Sequence, residues 1–326
     1  MKRRDFLTLL GGAAVWPVRS RAEEAAVRIG FLPLGSPTNR YDLSYVEAFR
    51  KGLVENDLID GKNVLVDLLW VENEPEYDQA VLELIRRGAR ILVPAGSSAS
   101  AAAKRQTSAI PIIFISVGNP VGIGIVQILS HPGGNATGFT DVLSDLSSKL
   151  VDFAKELNAQ GRPVGYLWYD KWPDGRSRFT QTEAAAQDLG VMLRARALSD
   201  IGELNAALGE MRSNGVTALI VQPSPFTYHH RDQIIVSTAR DRLAMICAWP
   251  PQAPSEGALI GYGPDYSDIY RRAGSYISRI MKGENPSELP VQNPVKFYLC
   301  VNLKAAKRLG VIISTNLLAL ATEVIE

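Results

Sequence analysis

From Ala26 onward, short apolar runs alternate with longer segments whose apolar positions recur at helical spacing. VRIGFLPLG predicts a strand, and LSYVEAFRKGLVEN after it places Tyr45, Val46, Phe49 and Leu53 on one helical face. NVLVDLLWVE and YDQAVLELIRRG repeat the pair, with Gly88 closing the helix. ARILVPAGS, SASAAAKRQT and IPIIFISVG complete a β-α-β-α-β-α-β run.

After a helical segment, LSSKLVDFAKELN, the same order is written again. Strands PVGYLWYD, VMLRARAL, VTALIVQPSP and LAMICAWPP alternate with helices FTQTEAAAQDLG, IGELNAALGEMRSNG and RDQIIVSTARDR. Strands alternating with helices imply parallel sheets covered on both faces. The predicted class is therefore α/β, with two similar doubly wound parallel-sheet lobes joined by a hinge.

In open α/β sheets, ligands bind beyond the carboxyl ends of the strands. Here those ends carry PLGSPTNRY, PAGSSAS and SVGNP in the first half, and WYDKWPD, QPSPFTY and AWPP in the second. Lobes that face each other would bring all six loops to one cleft. Small polar groups dominate the first set and aromatics the second, which suits a small solute with a polar head and an apolar or aromatic body.

Individual residues refine this picture. Ser97 and Ser98 open a predicted helix, where free N–H groups and the dipole favour an anion, although plain capping uses the same residues. The turn at Val117, Gly118 and Asn119 is followed by Gly122 and Gly124, but the spacing fits neither G-x-G-x-x-G nor the P-loop, so no nucleotide is expected. It reads instead as a turn that leaves Asn119 and backbone groups facing the cleft. Tyr169, Asp170 and Trp172 suit stacking plus an ammonium partner, while Trp168 alternates toward the core. Phe226, Tyr228 and Trp249 could stack on a solute or pack under their own loops. Ser36, Tyr41 and Ser224 are further contacts offered by these loops.

Composition removes other functions. A formal net charge of +1 gives no electrostatic footprint for nucleic acid. Three histidines in no metal-ligand spacing, and no nucleophile–base pair, leave neither a metal, a cofactor nor catalysis to argue. Cys247 and Cys300 lie in apolar runs and read as buried free thiols. The first residues, MKRRDFLTLLGGAAVWPVRSRAEEA, have a basic start, an apolar stretch too short to span a bilayer, and a small-x-small site at Ser20 and Ala22. Arg3 and Arg4 begin a twin-arginine pattern, so 1–22 reads as a cleaved export signal and the mature protein as periplasmic.

Three stretches resemble one known family: VGNPVGIGIVQILSHPGGNATGFT, the long segment from Gly261 to Gly310 beginning GYGPDYSDIYRRAG, and the terminal LLALATEVIE. The family is the tryptophan/tyrosine-type substrate-binding proteins of ABC transporters, and the likeness covers essentially the whole mature chain. It implies a type I periplasmic-binding fold with three crossover strands, residues 26–140 plus about 265–291 forming one lobe and about 141–262 plus 292–326 the other. It further implies Ser97 and Ser98 for a carboxylate, Val117 to Asn119 at the cleft, and Asp265 after the GYG strand. QPSPFTYHHR and AWPPQAPSEG depart from the family's usual second-lobe loops. The expected function is capture of a carboxylated solute, an amino acid or an aromatic or branched acid, for delivery to ABC permease subunits. A monomer without catalysis, nucleic-acid partner or membrane insertion is expected, and a ligand sensor on the same fold is the alternative.

Overall fold

The computed structural model of the protein describes residues 26–72, 74–141, 146–158, 161–172, 174–249, 254–255 and 257–326. The export-signal reading falls on residues outside this set.

The first sheet has the order β2-β1-β3-β4-β5, all parallel. Its strands are β1 (Val27–Leu32), β2 (Val64–Leu68), β3 (Ile91–Pro94), β4 (Ile112–Val117) and β5 (Ala136–Thr140). The helices between them are α1 (Arg40–Val54), α2 (Tyr77–Arg86) and α3 (Ser97–Gln106). Strand alternation divides the core. Ile29, Phe31, Ile113 and Ile115 join Phe49 and Leu53 of α1, while Leu92, Ile112 and Phe114 join Val81 and Leu84 of α2 and the alanines of α3.

The second sheet repeats this plan and extends it. β6 (Val164–Tyr169), β7 (Leu193–Leu198), β8 (Ala218–Val221), β9 (Ala244–Cys247) and β10 (Ile260–Pro264) stand in the order β7-β6-β8-β9-β10, matching the first sheet strand for strand. β11 (Phe297–Asn302) then adds antiparallel to β10, and β12 (Glu323–Ile325) parallel to β11. The helices are α4 (Ser147–Leu157), α5 (Gly175–Asp188), α6 (Leu204–Ser213), α7 (Pro225–His229) and α8 (Arg231–Arg240). The repeat read in the sequence is thus one of topology. β5 and the short α7 are additions to that reading, and α5 begins four residues before Phe179, where the sequence placed its start.

After β10 the chain enters α9 (Tyr266–Met281), capped by Asp265, whose side chain accepts the Asp268 N–H. This helix lies across α1 of the first sheet. The crossing is backbone to backbone at two glycines: a Cβ on Gly274 would stand 2.2 Å from the Gly52 carbonyl oxygen, and one on Gly52 would stand 1.8 Å from that of Arg271. The next segment runs along β5, with Gln292 donating to the Gly138 carbonyl and accepting from the Thr140 N–H, before the chain returns to the second sheet as β11. α10 (Leu303–Leu309) and α11 (Thr315–Leu320) lead to β12. Three passages therefore join the sheets: β5 to α4, β10 to α9, and the 291–297 segment.

Cys247 and Cys300 are buried, form no disulfide among the described residues, and register with opposite sides of Gly261 in β10. Two strand spacings, about 9–10 Å, separate them, beyond the reach of a disulfide. Burial pushes the Cys300 thiol up to about 12.

Candidate functional site

The strands of both sheets end toward each other, and a hollow of about 520 Å³, open solvent included, lies between them. From the first sheet come Leu34 after β1, Gly96 and Ser97 after β3, Ser116 at the end of β4, and Asp141 after β5. From the second come Trp172 after β6, Pro223 to Pro225 after β8, and Trp249 after β9. Tyr45 of α1, Tyr228 of α7, and Tyr266 and Tyr270 of α9 complete the wall. Among the described residues, neither β2 nor β7, which share one edge of the common order, contributes.

Six aromatic rings line this space: Tyr45, Trp172, Tyr228, Trp249, Tyr266 and Tyr270. Tyr45 stacks on Tyr270 at 5.3 Å, and Tyr228 meets Trp249 edge-on at 6.0 Å. Such a lining binds planar apolar groups by stacking and burial. Burial drives the Tyr45, Tyr228 and Tyr266 hydroxyls well above the usual phenol range, so all three are neutral donors at physiological pH.

Ser97, Ser116 and Asp141 add polar groups to the lining, and Arg178 lies behind it. Ser97 is the first residue of α3, and the cap residue before it, Gly96, offers no side chain, so nothing on the cap covers the helix N–H groups. Ser116 sits at a register shift in β4 with φ +59°, a strained conformation for a residue with a Cβ, and donates its hydroxyl to Asp141 at 3.2 Å. Arg178, in the first turns of α5, reaches across from the second lobe. Its Nε donates to Asp174 at 2.7 Å, its guanidinium lies 4.9 Å over the Trp172 ring, and a Cβ on Gly118 would fall 1.5 Å from Nη2. Nη2 is 3.7 Å from Asp141 Oδ1. Among the described residues, Nη1 and Nη2 of Arg178, and Nε1 of Trp172, are buried without a hydrogen-bond acceptor.

A second polar group ties the lobes together at the cavity's edge. Asp42 of α1 is wholly buried and accepts from Arg231 Nη2 at 3.0 Å, from the Tyr228 hydroxyl at 2.5 Å and from the Ser36 N–H at 2.7 Å. Burial pushes the Asp42 carboxyl above its ordinary range, against the opposing pull of Arg231 and Tyr228. The Tyr41 hydroxyl also meets Ser255 across the lobes. These contacts define a closed arrangement.

Of the residues expected at the cleft, Ser97, Trp172, Ser224 and Trp249 line the cavity. Gly118 backs it through Arg178. Tyr169 and Phe226 stack on each other at 4.0 Å in an adjoining hollow, which shares Leu34 and Pro225 with the cavity. The other positions are placed differently. The Val117 side chain is buried in the core of the first sheet. Asn119 accepts the Gly122 N–H at 2.8 Å, so its side chain holds the glycine turn together instead of facing the cleft. Asp170 is exposed and accepts the Ser199 hydroxyl. Tyr41 and Asp265 line an outer depression with Tyr298. Ser36 contributes its backbone to Asp42, and Ser98 lies one residue into α3, off the lining.

The family model described as ABC transporter substrate binding protein matches residues 42–325. The chain belongs to that family. Among its relatives is a tyrosine-binding protein of Clostridioides difficile (strain R20291), 25% identical over 264 residues, which are 81% of this chain and 75% of that protein. A Streptococcus pneumonia ABC domain solved in complex with L-Trp superposes with a TM-score of 0.83 at 23% identity, covering 92% of this chain and all of that one. A ligand-free, open substrate binding protein with adhesive properties from Clostridium difficile gives 0.66 at 20% identity, covering 92% of this chain and 99% of that one. The two facing parallel sheets are those of type I periplasmic-binding proteins. Among the described residues, no helix is long and apolar enough to cross a membrane, and no group of three or more His, Cys, Asp or Glu could hold a metal ion.

Proposed function

We propose that this protein is the exported receptor of an ABC transporter that closes its two lobes around a small carboxylated solute with an aromatic body. One observation carries the reading. A six-ring aromatic cavity sits between the lobes, and the buried N–H groups of Arg178 and Trp172 beside it lack acceptors. Rings provide the apolar seat, and unmet donors call for an acceptor-rich group such as a carboxylate. The L-Trp complex and the tyrosine-binding relative support an aromatic amino acid as the first solute to test.

The same reading assigns 1–22 to an export signal and gives the protein a periplasmic, monomeric working form that delivers its solute unchanged to permease subunits. It divides the chain at the three passages, 26–140 with about 265–291 against about 141–262 with 292–326. Cleft contacts are carried by Ser97, Trp172, Ser224 and Trp249, with Tyr45, Tyr228, Tyr266, Tyr270, Asp141 and Arg178 added. Calorimetric titration with L-tryptophan and L-tyrosine tests solute capture, and recovery of the solute unaltered tests the absence of turnover. Loss of uptake of the bound solute in a deletion strain separates transport from sensing. Uptake at the parental rate would refute the transport role.

A further inference from the structure

The ionic groups beside the cavity narrow the solute further, on the premise that the proposed receptor function holds. Arg178 is 2% exposed and presents two nitrogens with no hydrogen-bond acceptor. A buried guanidinium with an open fork is built for a bidentate acceptor, and a carboxylate is the matching shape. Trp172 Nε1, which also lacks an acceptor, belongs to the ring under that guanidinium. Three unmet donors therefore lie together on one lobe, the Trp172 ring in the cavity wall and Arg178 directly behind it, stacked on that ring and beside Asp141.

Charge decides what else the solute must carry. Arg178 faces two carboxylates, Asp174 in a hydrogen bond and Asp141 at 3.7 Å, so the three groups sum to one negative charge when ionised. A carboxylate arriving alone would add a third anion to one buried cation. An ammonium arriving with it can take Asp141, whose Oδ2 is already positioned by the Ser116 hydroxyl. The Arg178–Asp141 contact then exchanges one long ion pair for two short ones.

We propose that Arg178 and Asp141 form a head-group clamp for the α-carboxylate and α-ammonium of an amino acid, so that Arg178, instead of the start of α3 at Ser97, is the main carboxylate anchor. The class is thereby restricted to zwitterionic α-amino acids, and plain aromatic or branched acids are excluded. Because the carboxylate anchor stands on the second lobe and the α1 and α9 rings on the first, an amino acid spans both and holds them closed.

Titration calorimetry of L-tryptophan, its carboxamide, tryptamine and indole-3-propionate against the wild type and Arg178→Gln tests this. The wild type should favour the amino acid over the amide and over the propionate by about 30-fold or more each, the scale of losing one partner of a buried charged pair. Arg178→Gln should erase the acid-over-amide preference, and Ser97→Ala should keep it. An unchanged acid-to-amide ratio in Arg178→Gln, or indole-3-propionate binding as tightly as tryptophan, overturns the clamp while leaving the receptor function standing. A wild type that binds none of the four compounds overturns both. Should Arg178→Gln fail to fold, a crystal structure of the wild type with L-tryptophan decides. A carboxylate on Nη1 and Nη2 supports the clamp, and one held at Ser97 away from Arg178 refutes it.

Discussion

Replacing Asp42 by alanine should unlatch the lobes rather than unfold them. In the closed form the carboxylate is wholly buried and its Arg231 partner is 3% exposed, 3.0 Å away. At an effective dielectric of about 20 their gross attraction is roughly 5–6 kcal/mol, opposed by a desolvation penalty of several kcal/mol per ion. The upward shift of Asp42 by burial shows that this penalty is not fully offset. Forming the pair therefore returns little, but breaking one side costs about 3–5 kcal/mol, because the surviving charge stays buried. Here the survivor has an escape. The pair joins α1 of one lobe to α8 of the other, so opening the cleft rehydrates Arg231 and frees the Tyr228 hydroxyl. The cost should appear as a shift toward the open form, and about 3 kcal/mol of that shift weakens solute affinity on the order of 100-fold. Small-angle scattering should show a larger radius for Asp42→Ala without solute, and calorimetry a weaker Kd, with the denaturation midpoint of each lobe little changed. Asp42→Ala combined with Arg231→Met should recover much of the loss, since no buried charge remains and the new side chain still packs on Tyr228. A single variant that binds and closes like the wild type, or a double variant no better than the single, would refute this reasoning.

Other consequences follow from the fold. Gly274→Ala places a methyl against the Gly52 carbonyl, and the α1–α9 crossing should lose about 2 kcal/mol or more, read as a lower midpoint in urea; an unchanged midpoint would contradict the close crossing. Asp268 is pushed up by burial, but Arg271 and Lys296 overcome this and hold its carboxyl below the ordinary value of 3.8. Its stabilisation is then complete above pH 3.8 and fades as the pH falls through the lowered value, so Asp268→Asn should destabilise at pH 7 and progressively less toward pH 3. A difference that grows on acidification would reverse the assigned sign. Cys247 and Cys300 should resist a thiol-reactive dye in the folded protein and react together on unfolding; rapid labelling of either one in the native state would place it outside the core.

Much of this architecture was readable from periodicity, because both halves keep strand and helix spacing and each strand ends in a loop of unusual composition. That is why Ser97, Trp172, Ser224 and Trp249 could be named from their loops alone. Residues with two available roles were harder. Tyr45 falls on the apolar face of α1 with Val46 and Phe49, and nothing in the spacing separates a ring facing the sheet from one facing a cavity. Asn119 and Asp265 looked free for a ligand, but their side chains satisfy backbone N–H groups of their own turn and helix. Arg178 was hidden because α5 starts at Gly175, so a residue taken for loop lies inside the helix. Asp141 follows β5, a strand whose small residues and Gly138 carry little apolar signal.

Solute capture itself is tested most directly by thermal denaturation of the purified protein with and without saturating L-tryptophan or L-tyrosine. A solute present at about 100 times its Kd should raise the stability of the folded state by roughly 2.7 kcal/mol, with a single-site dependence on concentration. No shift with any aromatic or branched amino acid, together with a clear shift from a neutral sugar, would contradict the aromatic, carboxylate-binding cleft described above.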